Sequence, residues 1–223
     1  MKNINIKNNV NKILSELPPG VELLAAAKKR SAGEIEEAVK AGVKIIGHNY
    51  VKEARQTKEK VKSEARWHLI GHLQRNKVKK ALGLFDMIEA LDSYRLAREI
   101  DKRCSDKGIS MPCLVEINSA GEKNKYGILP RETEEFVMEA SNSFRNIKIQ
   151  GLMTMGPFTD KAAEIRPYFG ITREIFEDLK KKENKNFKMT YLSMGMSASY
   201  RVAIQEGANI VRIGTDIFGP RNK

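Results

Sequence analysis

Lys28 and Lys29 close a short apolar run, Leu23-Leu24-Ala25-Ala26-Ala27. A lysine enclosed at the end of a buried strand has its ammonium destabilised. Its amine then becomes nucleophilic and able to condense with an aldehyde. Alternation puts Leu24, Ala26 and Lys28 on one side of a strand and Leu23, Ala25 and Lys29 on the other, and does not choose between the two lysines. Further along, Ser193-Met194-Gly195-Met196-Ser197 leads directly into a helix starting near Ala198-Ser199-Tyr200. A serine hydroxyl and free backbone N–H groups at a helix start suit an anion. The segment Val211-Arg212-Ile213-Gly214-Thr215 adds a cation, a glycine that lets an anion approach the backbone, and a hydroxyl. Arg212 and Gly214 share a strand face. Together these residues make an amine with an anion cradle. The plain alternative is an ordinary surface lysine and two buried strands with serine and glycine at tight turns.

Other chemistries find less support. His68 and His72 are four apart, but Trp67-His68-Leu69-Ile70-Gly71-His72 reads as a strand and its exit, not a helix face. No HExxH accompanies them, so no metal is expected; His68 is read as a core residue and His72 as facing the mouth of the fold. No Ser-His-Asp order and no paired-carboxylate pattern stands out.

The elements that must position these groups alternate. Apolar runs fall at residues 22–27, 43–47, 66–71, 85–90, 112–117, 147–153, 189–196 and 209–214. They are short and bounded by turn residues, as buried parallel strands are. Between them lie helical signals. Ser31 with Glu34 is a capping box ahead of Ile35, Ala38 and Val39, with Gly42 as the stop. Ser93 opens a stripe of Leu96, Ala97, Ile100 and Cys104, and Ile165, Phe169, Phe176 and Leu179 form another. Ile6, Val10, Ile13, Leu14 and Leu17 predict a helix before the first strand. Eight strand–helix alternations in this length predict an α/β fold, a single (β/α)8 TIM-type barrel over residues 1–223 with an extra N-terminal helix. An open doubly wound sheet is the alternative. The barrel places function at the carboxyl ends of the strands, with phosphate after strands seven and eight. Only nine residues follow Gly214, so no helix is expected after the eighth strand, and the N-terminal helix is expected to cover that gap.

Composition sets the outer bounds. Of the 223 residues, 41% are hydrophobic and 30% charged. That is a globular mixture. No apolar run approaches the roughly 20 residues of a membrane span, and the amino terminus has no apolar h-region, so neither a membrane protein nor an exported one is expected. Cys104 and Cys113 form no disulfide framework, which points to the cytoplasm. The charge, 40 − 28 = +12, is spread among acids as in EIEEAVKAGVK. That is the pattern of a solvated lysine-rich surface rather than a nucleic-acid stripe. No long apolar stripe is left over for a partner, so a monomer is expected.

Assembled, these motifs resemble the pyridoxal phosphate (PLP) homeostasis protein family of alanine-racemase-like, PLP-binding barrels. The resemblance rests on Leu24 to Lys28, Gly47-His48-Asn49-Tyr50-Val51-Lys52-Glu53, and the block from Trp67 to Lys77. It continues through Gly151-Leu152-Met153-Thr154, Leu192 to Ser197, and Arg212-Ile213-Gly214-Thr215. It implies PLP as cofactor, held as a Schiff base on Lys28 rather than Lys29. It implies that Ser197, Gly214 and Thr215 hold the phosphate, that Arg212 faces the pyridine nitrogen, and that Asn49 and His72 line the site. It further implies a non-catalytic carrier in intracellular PLP (vitamin B6) and amino-acid homeostasis, with PLP-dependent apoenzymes as recipients. Related racemases carry a carboxyl-terminal β-domain with a tyrosine base, which this chain is expected to lack. A weak amino-acid racemase and a basic nucleic-acid-binding module are the competing readings. His48 and Ala27 stand where the family usually has glutamate and serine, and are expected to alter polarity around the cofactor.

Overall fold

The computed structural model describes residues 4–157, 159 and 161–220. Eight parallel strands close into a barrel in chain order, β1 Glu22–Ala26, β2 Ile45–His48, β3 Arg66–Leu69, β4 Met87–Leu91, β5 Met111–Ile117, β6 Ile147–Thr154, β7 Phe187–Ser193 and β8 Ile210–Ile213. β1 closes the ring against β8, with Leu24 opposite Arg212. Helices α2 Ala32–Lys40, α3 Val51–Lys58, α4 Val78–Ala81, α5 Tyr94–Ser105, α6 Pro130–Ser143, α7 Ala162–Lys180 and α8 Tyr200–Gln205 link successive strands. A single 3-10 turn, Arg75–Lys77, precedes α4. The open doubly wound sheet is thereby excluded.

Local sequence explains where these elements start. Ser31 Oγ accepts from the Glu34 N–H and Glu34 Oε2 accepts from the Ser31 N–H, so the capping box opens α2 as predicted. Ser93 Oγ caps α5 on the Leu96 N–H, and Leu96, Ala97, Ile100 and Cys104 are its buried face. All four apolar residues named for α7 are buried.

Two layers of core result. The larger lies between barrel and helices. The smaller fills the barrel, where Leu24, Ile45, Ile70 and Ile210 meet, with Met87, Leu114 and Met153 alongside. Near Gly151 β6 shifts register against β7. This glycine has φ +149°, and a Cβ there would come within 1.8 Å of the Tyr191 carbonyl oxygen, so only glycine fits.

One expectation is corrected. A helix does follow the eighth strand, the single turn α9 Thr215–Phe218. The N-terminal helix α1, Ile6–Glu16, packs on α2 and on α9, and Asn9 Nδ2 donates to the Ile217 carbonyl at 3.0 Å. It therefore supplements that short helix at the seam instead of replacing it. Several predicted strands extend past the hydrogen-bonded ladder because their last residues turn outward into the loops that carry the site. Residues 194–196 after β7 are the clearest case.

Candidate functional site at the barrel mouth

Strand parity places Lys28. Leu24 and Ala26 belong to the cluster inside the barrel, whereas Leu23, Ala25 and Ala27 pack outward under the helices. Lys28, half-buried in the turn that follows β1, shares the parity of Leu24 and Ala26. Lys29 turns away at φ +59°, and its N–H donates to Glu53 Oε2 at 3.1 Å. The Lys28 Nζ lies 5.3 Å from the centre of the Tyr50 ring. Asn49, just beyond β2, is half-buried on the same side. Gly71 passes so close that a Cβ would lie 2.7 Å from the Asn49 carbonyl oxygen.

β8 pairs with the other edge of β1, and β7 pairs with β8. Gly195 takes φ +89°, and a Cβ there would sit 2.6 Å from Ala203 Cβ, so the turn into α8 needs glycine. The Met196 N–H donates to Ser199 Oγ at 3.1 Å, and the Arg212 N–H donates to the Gly195 carbonyl at 3.0 Å. Gly214 packs against Ala26, its virtual Cβ 3.2 Å from that carbonyl. The Asp216 N–H donates to Ser197 Oγ at 3.4 Å, tying the two helix starts together. Ser197, Gly214 and Thr215 thus share a backbone-rich corner beside the end of β1.

Arg212 is 2% exposed inside the barrel. Its Nη1 donates to Ser193 Oγ at 2.6 Å, and its Nη2 donates to the Thr154 carbonyl at 2.7 Å and to Met155 Sδ at 3.3 Å. Its Nε is buried without a hydrogen-bond partner. A buried orphan donor is costly unless a ligand acceptor meets it. A pyridine nitrogen is such an acceptor, and a phosphate suits the corner formed by Ser197, Gly214 and Thr215. The residues present fit PLP.

Two buried groups and one half-buried group escape a reading of the sequence. Glu89, fully buried on β4, accepts from Ser193 Oγ at 2.7 Å, and its Oε1 lies 2.7 Å from His68 Nδ1. Burial alone would raise its carboxyl, but the His68 hydrogen bond, the charges of His68 and Arg212 and the Ser193 hydroxyl hold it below its ordinary value. Glu116 on β5 is pushed up to about 7, first by desolvation and then by Asp92, with Arg212 opposing; its Oε2 is unpartnered. Ser193 is legible in the sequence only as the first residue of the SMGMS turn, not as a bridge. The one available signal is a charge inside an otherwise apolar strand run.

The histidines divide as expected. His68 is in the core, and His72 stands at the mouth, its Nδ1 2.6 Å from Asp92 Oδ2 and its ring stacked on Tyr126 at 3.6 Å. His48 is corrected. Gly47 faces the barrel interior, so His48 faces out, buried and stacked on Trp67 with ring centres 5.4 Å apart and its Nε2 3.3 Å from Thr57 Oγ1. Ala27 also packs outward, so neither residue reaches the cofactor side. Two cavities flank the mouth. One of about 760 Å³ is lined by Asn49, Tyr50, His72 and Tyr126, and one of about 280 Å³ by Glu116, Lys125, Met155 and Met196. Neither is lined by Lys28 or Arg212.

Comparison with known proteins agrees with this geometry. The family model for the alanine racemase N-terminal domain matches residues 3–222. A pyridoxal phosphate homeostasis protein of Aquifex aeolicus is 40% identical over 201 residues, 90% of this chain and 87% of that protein. The structure of PipY from Synechococcus elongatus without PLP superposes with TM-score 0.90 at 33% identity, covering 96% of this chain and all of that one. The PLP-bound form of PipY gives 0.87 at 32% identity over the same shares. Alanine racemase of Clostridium difficile shares the fold, with TM-score 0.78 at 15% identity, over 98% of this chain and 56% of its own.

Proposed function

This chain belongs to the pyridoxal phosphate homeostasis protein family, and from that premise we propose that it binds PLP as a Schiff base on Lys28 and serves as a carrier or buffer of the cofactor, not as a catalyst. The observation that carries this reading is the orphan Arg212 Nε, buried inside the barrel without an acceptor. PLP supplies, when bound, an aldehyde for an amine and a dianionic phosphate. Lys28 provides the amine. Ser197, Gly214 and Thr215 hold the phosphate with hydroxyl and backbone N–H groups. Asn49 lines the opposite wall, with His72 above it.

Arg212 argues for storage over carbanion chemistry. A carboxylate beside the pyridine nitrogen would keep it protonated and strengthen the electron sink; a buried guanidinium disfavours that proton. The carrier is a single barrel domain, monomeric and cytoplasmic, that hands PLP to apoenzymes through its open mouth. Cys104 and Cys113 are free and buried, in keeping with a reducing compartment.

The test is an absorbance spectrum of protein with added PLP, then borohydride reduction and peptide mapping. A yellow protein with one phosphopyridoxyl adduct at Lys28, lost in Lys28→Ala, is the expected outcome; label spread over surface lysines would overturn it. Solvent deuterium is expected not to enter Cα of any amino acid in a broad panel, and Lys28-dependent incorporation would establish a racemase instead.

A further inference from the structure

Arg212 raises a problem of charge. Its guanidinium is 2% exposed inside the barrel, and no carboxylate among the described residues touches it directly. A charge so buried needs a counter-ion. The nearest bonded acceptor is the Ser193 hydroxyl, and beyond it stands the carboxylate of Glu89. Ser193 has one hydrogen, which goes to Glu89 Oε2 at 2.7 Å, so its lone pairs are turned to Arg212 Nη1 at 2.6 Å. Beyond Glu89, His68 Nδ1 lies 2.7 Å from the other carboxylate oxygen. Residues of β8, β7, β4 and β3 therefore form one hydrogen-bonded line across the barrel, each member at most 2% exposed. Nη2 is held separately by the Thr154 carbonyl. Both ends of the guanidinium are tied, which fixes its plane, and Nε is the nitrogen of the three that has no partner.

We propose that Glu89, acting through Ser193, is a positioning residue for the cofactor. It fixes the plane of the Arg212 guanidinium so that Nε–H is presented to the pyridine nitrogen, and it supplies the buried negative charge that balances Arg212 beneath the ring. The inference rests on the reading that Arg212 faces that nitrogen. Glu116 on β5 also feels the Arg212 charge, without a hydrogen bond to it, and feels Asp92 as well.

The test measures PLP affinity and the pH titration of the lysine–cofactor imine absorbance in the loaded protein. Glu89→Gln keeps the size and one of the two acceptors, and removes the charge. The uncompensated guanidinium then disfavours the protonated imine, whose pKa is expected to fall by about half a unit or more. PLP affinity is expected to weaken about ten-fold, the usual scale for a supporting-shell change. In an Arg212→Met background the same substitution is expected to change affinity less than about two-fold, because no guanidinium remains to be positioned. Wild-type affinity and titration in Glu89→Gln would overturn the proposal, as would an equal loss in both backgrounds, which marks a general structural effect. If Arg212→Met alone leaves affinity and spectrum unchanged, the parent reading fails and this one falls with it. Should Glu89→Gln not fold, as judged by melting of the unloaded protein, Ser193→Ala carries the test. It leaves both charges in place, and the same Arg212-dependent loss is expected.

Discussion

His48 and Glu116 give the barrel opposing pH slopes. Desolvation lowers His48 from 6.5 to about 4. Between those values the unfolded chain binds more protons than the folded one, so stability rises with pH and is lost on acidification. By pH 5 this amounts to about 2 kcal/mol. Glu116 is raised from 4.5 to about 7, first by desolvation. There the folded chain holds more protons, so its contribution is fully present below 4.5 and is lost as pH rises through 7. In the unloaded protein the two offset each other between pH 5 and 7. Thermal melting across that range is expected to be nearly flat for the wild type. His48→Phe, which keeps an aromatic ring against Trp67, should lose stability as pH rises, and Glu116→Gln should lose it as pH falls. Parallel curves for all three proteins would contradict the assignment.

At the scale of elements, the turn from β7 into α8 is the sensitive joint. Gly195 combines φ +89° with backbone and side-chain atoms under 3.0 Å from any Cβ. Gly195→Ala is expected to cost about 1–3 kcal/mol through backbone strain and to weaken PLP binding as well, since Ser197 follows directly. Ser31→Ala breaks the capping box of α2, whose hydrogen bonds run between Ser31 and Glu34. It should lower stability by about 1 kcal/mol with PLP affinity unchanged. Melting temperature and PLP titration on the two variants separate the cases; a PLP defect in Ser31→Ala, or none in Gly195→Ala, would count against this division. Both motifs are legible as sequence. The bond between Asp216 and Ser197, which joins two strand ends, is not.

For the whole molecule, the net charge of +12 is distributed in short-range pairs such as Arg103 with Glu99 and Lys182 with Glu134. Exposed pairs of this kind contribute little to stability, but they keep the surface solvated and mixed in sign. Among the described residues no helix is long and apolar enough to cross a membrane. The exposed large apolar side chains among them, Ile4, Tyr50, Ile109, Tyr126 and Ile171, are few, and two lie at the mouth. Sedimentation is expected to give the mass of a single chain with and without PLP. A concentration-dependent dimer would refute the monomer and direct attention to Tyr50 and Tyr126.

Eight short apolar runs separated by helical stripes pointed to a barrel ahead of an open doubly wound sheet, and the closure of β1 on β8 decided between the two. The sequence also offered SMGMS and RIGT as local motifs whose hydroxyl and backbone groups suit an anion. Alternation left Lys28 and Lys29 as candidates; in the structure Lys29 turns away with its N–H on Glu53, and Lys28 is half-buried beside the Tyr50 ring. Only the tertiary structure decided what lies beneath Arg212. Glu89 is 104 residues from Ser193 and 21 from His68, and neither spacing repeats along a strand or helix. Their hydrogen bonds exist because closing the barrel brings β3, β4, β7 and β8 around one dry interior, where a buried charge must find its partner across the fold and not along the chain.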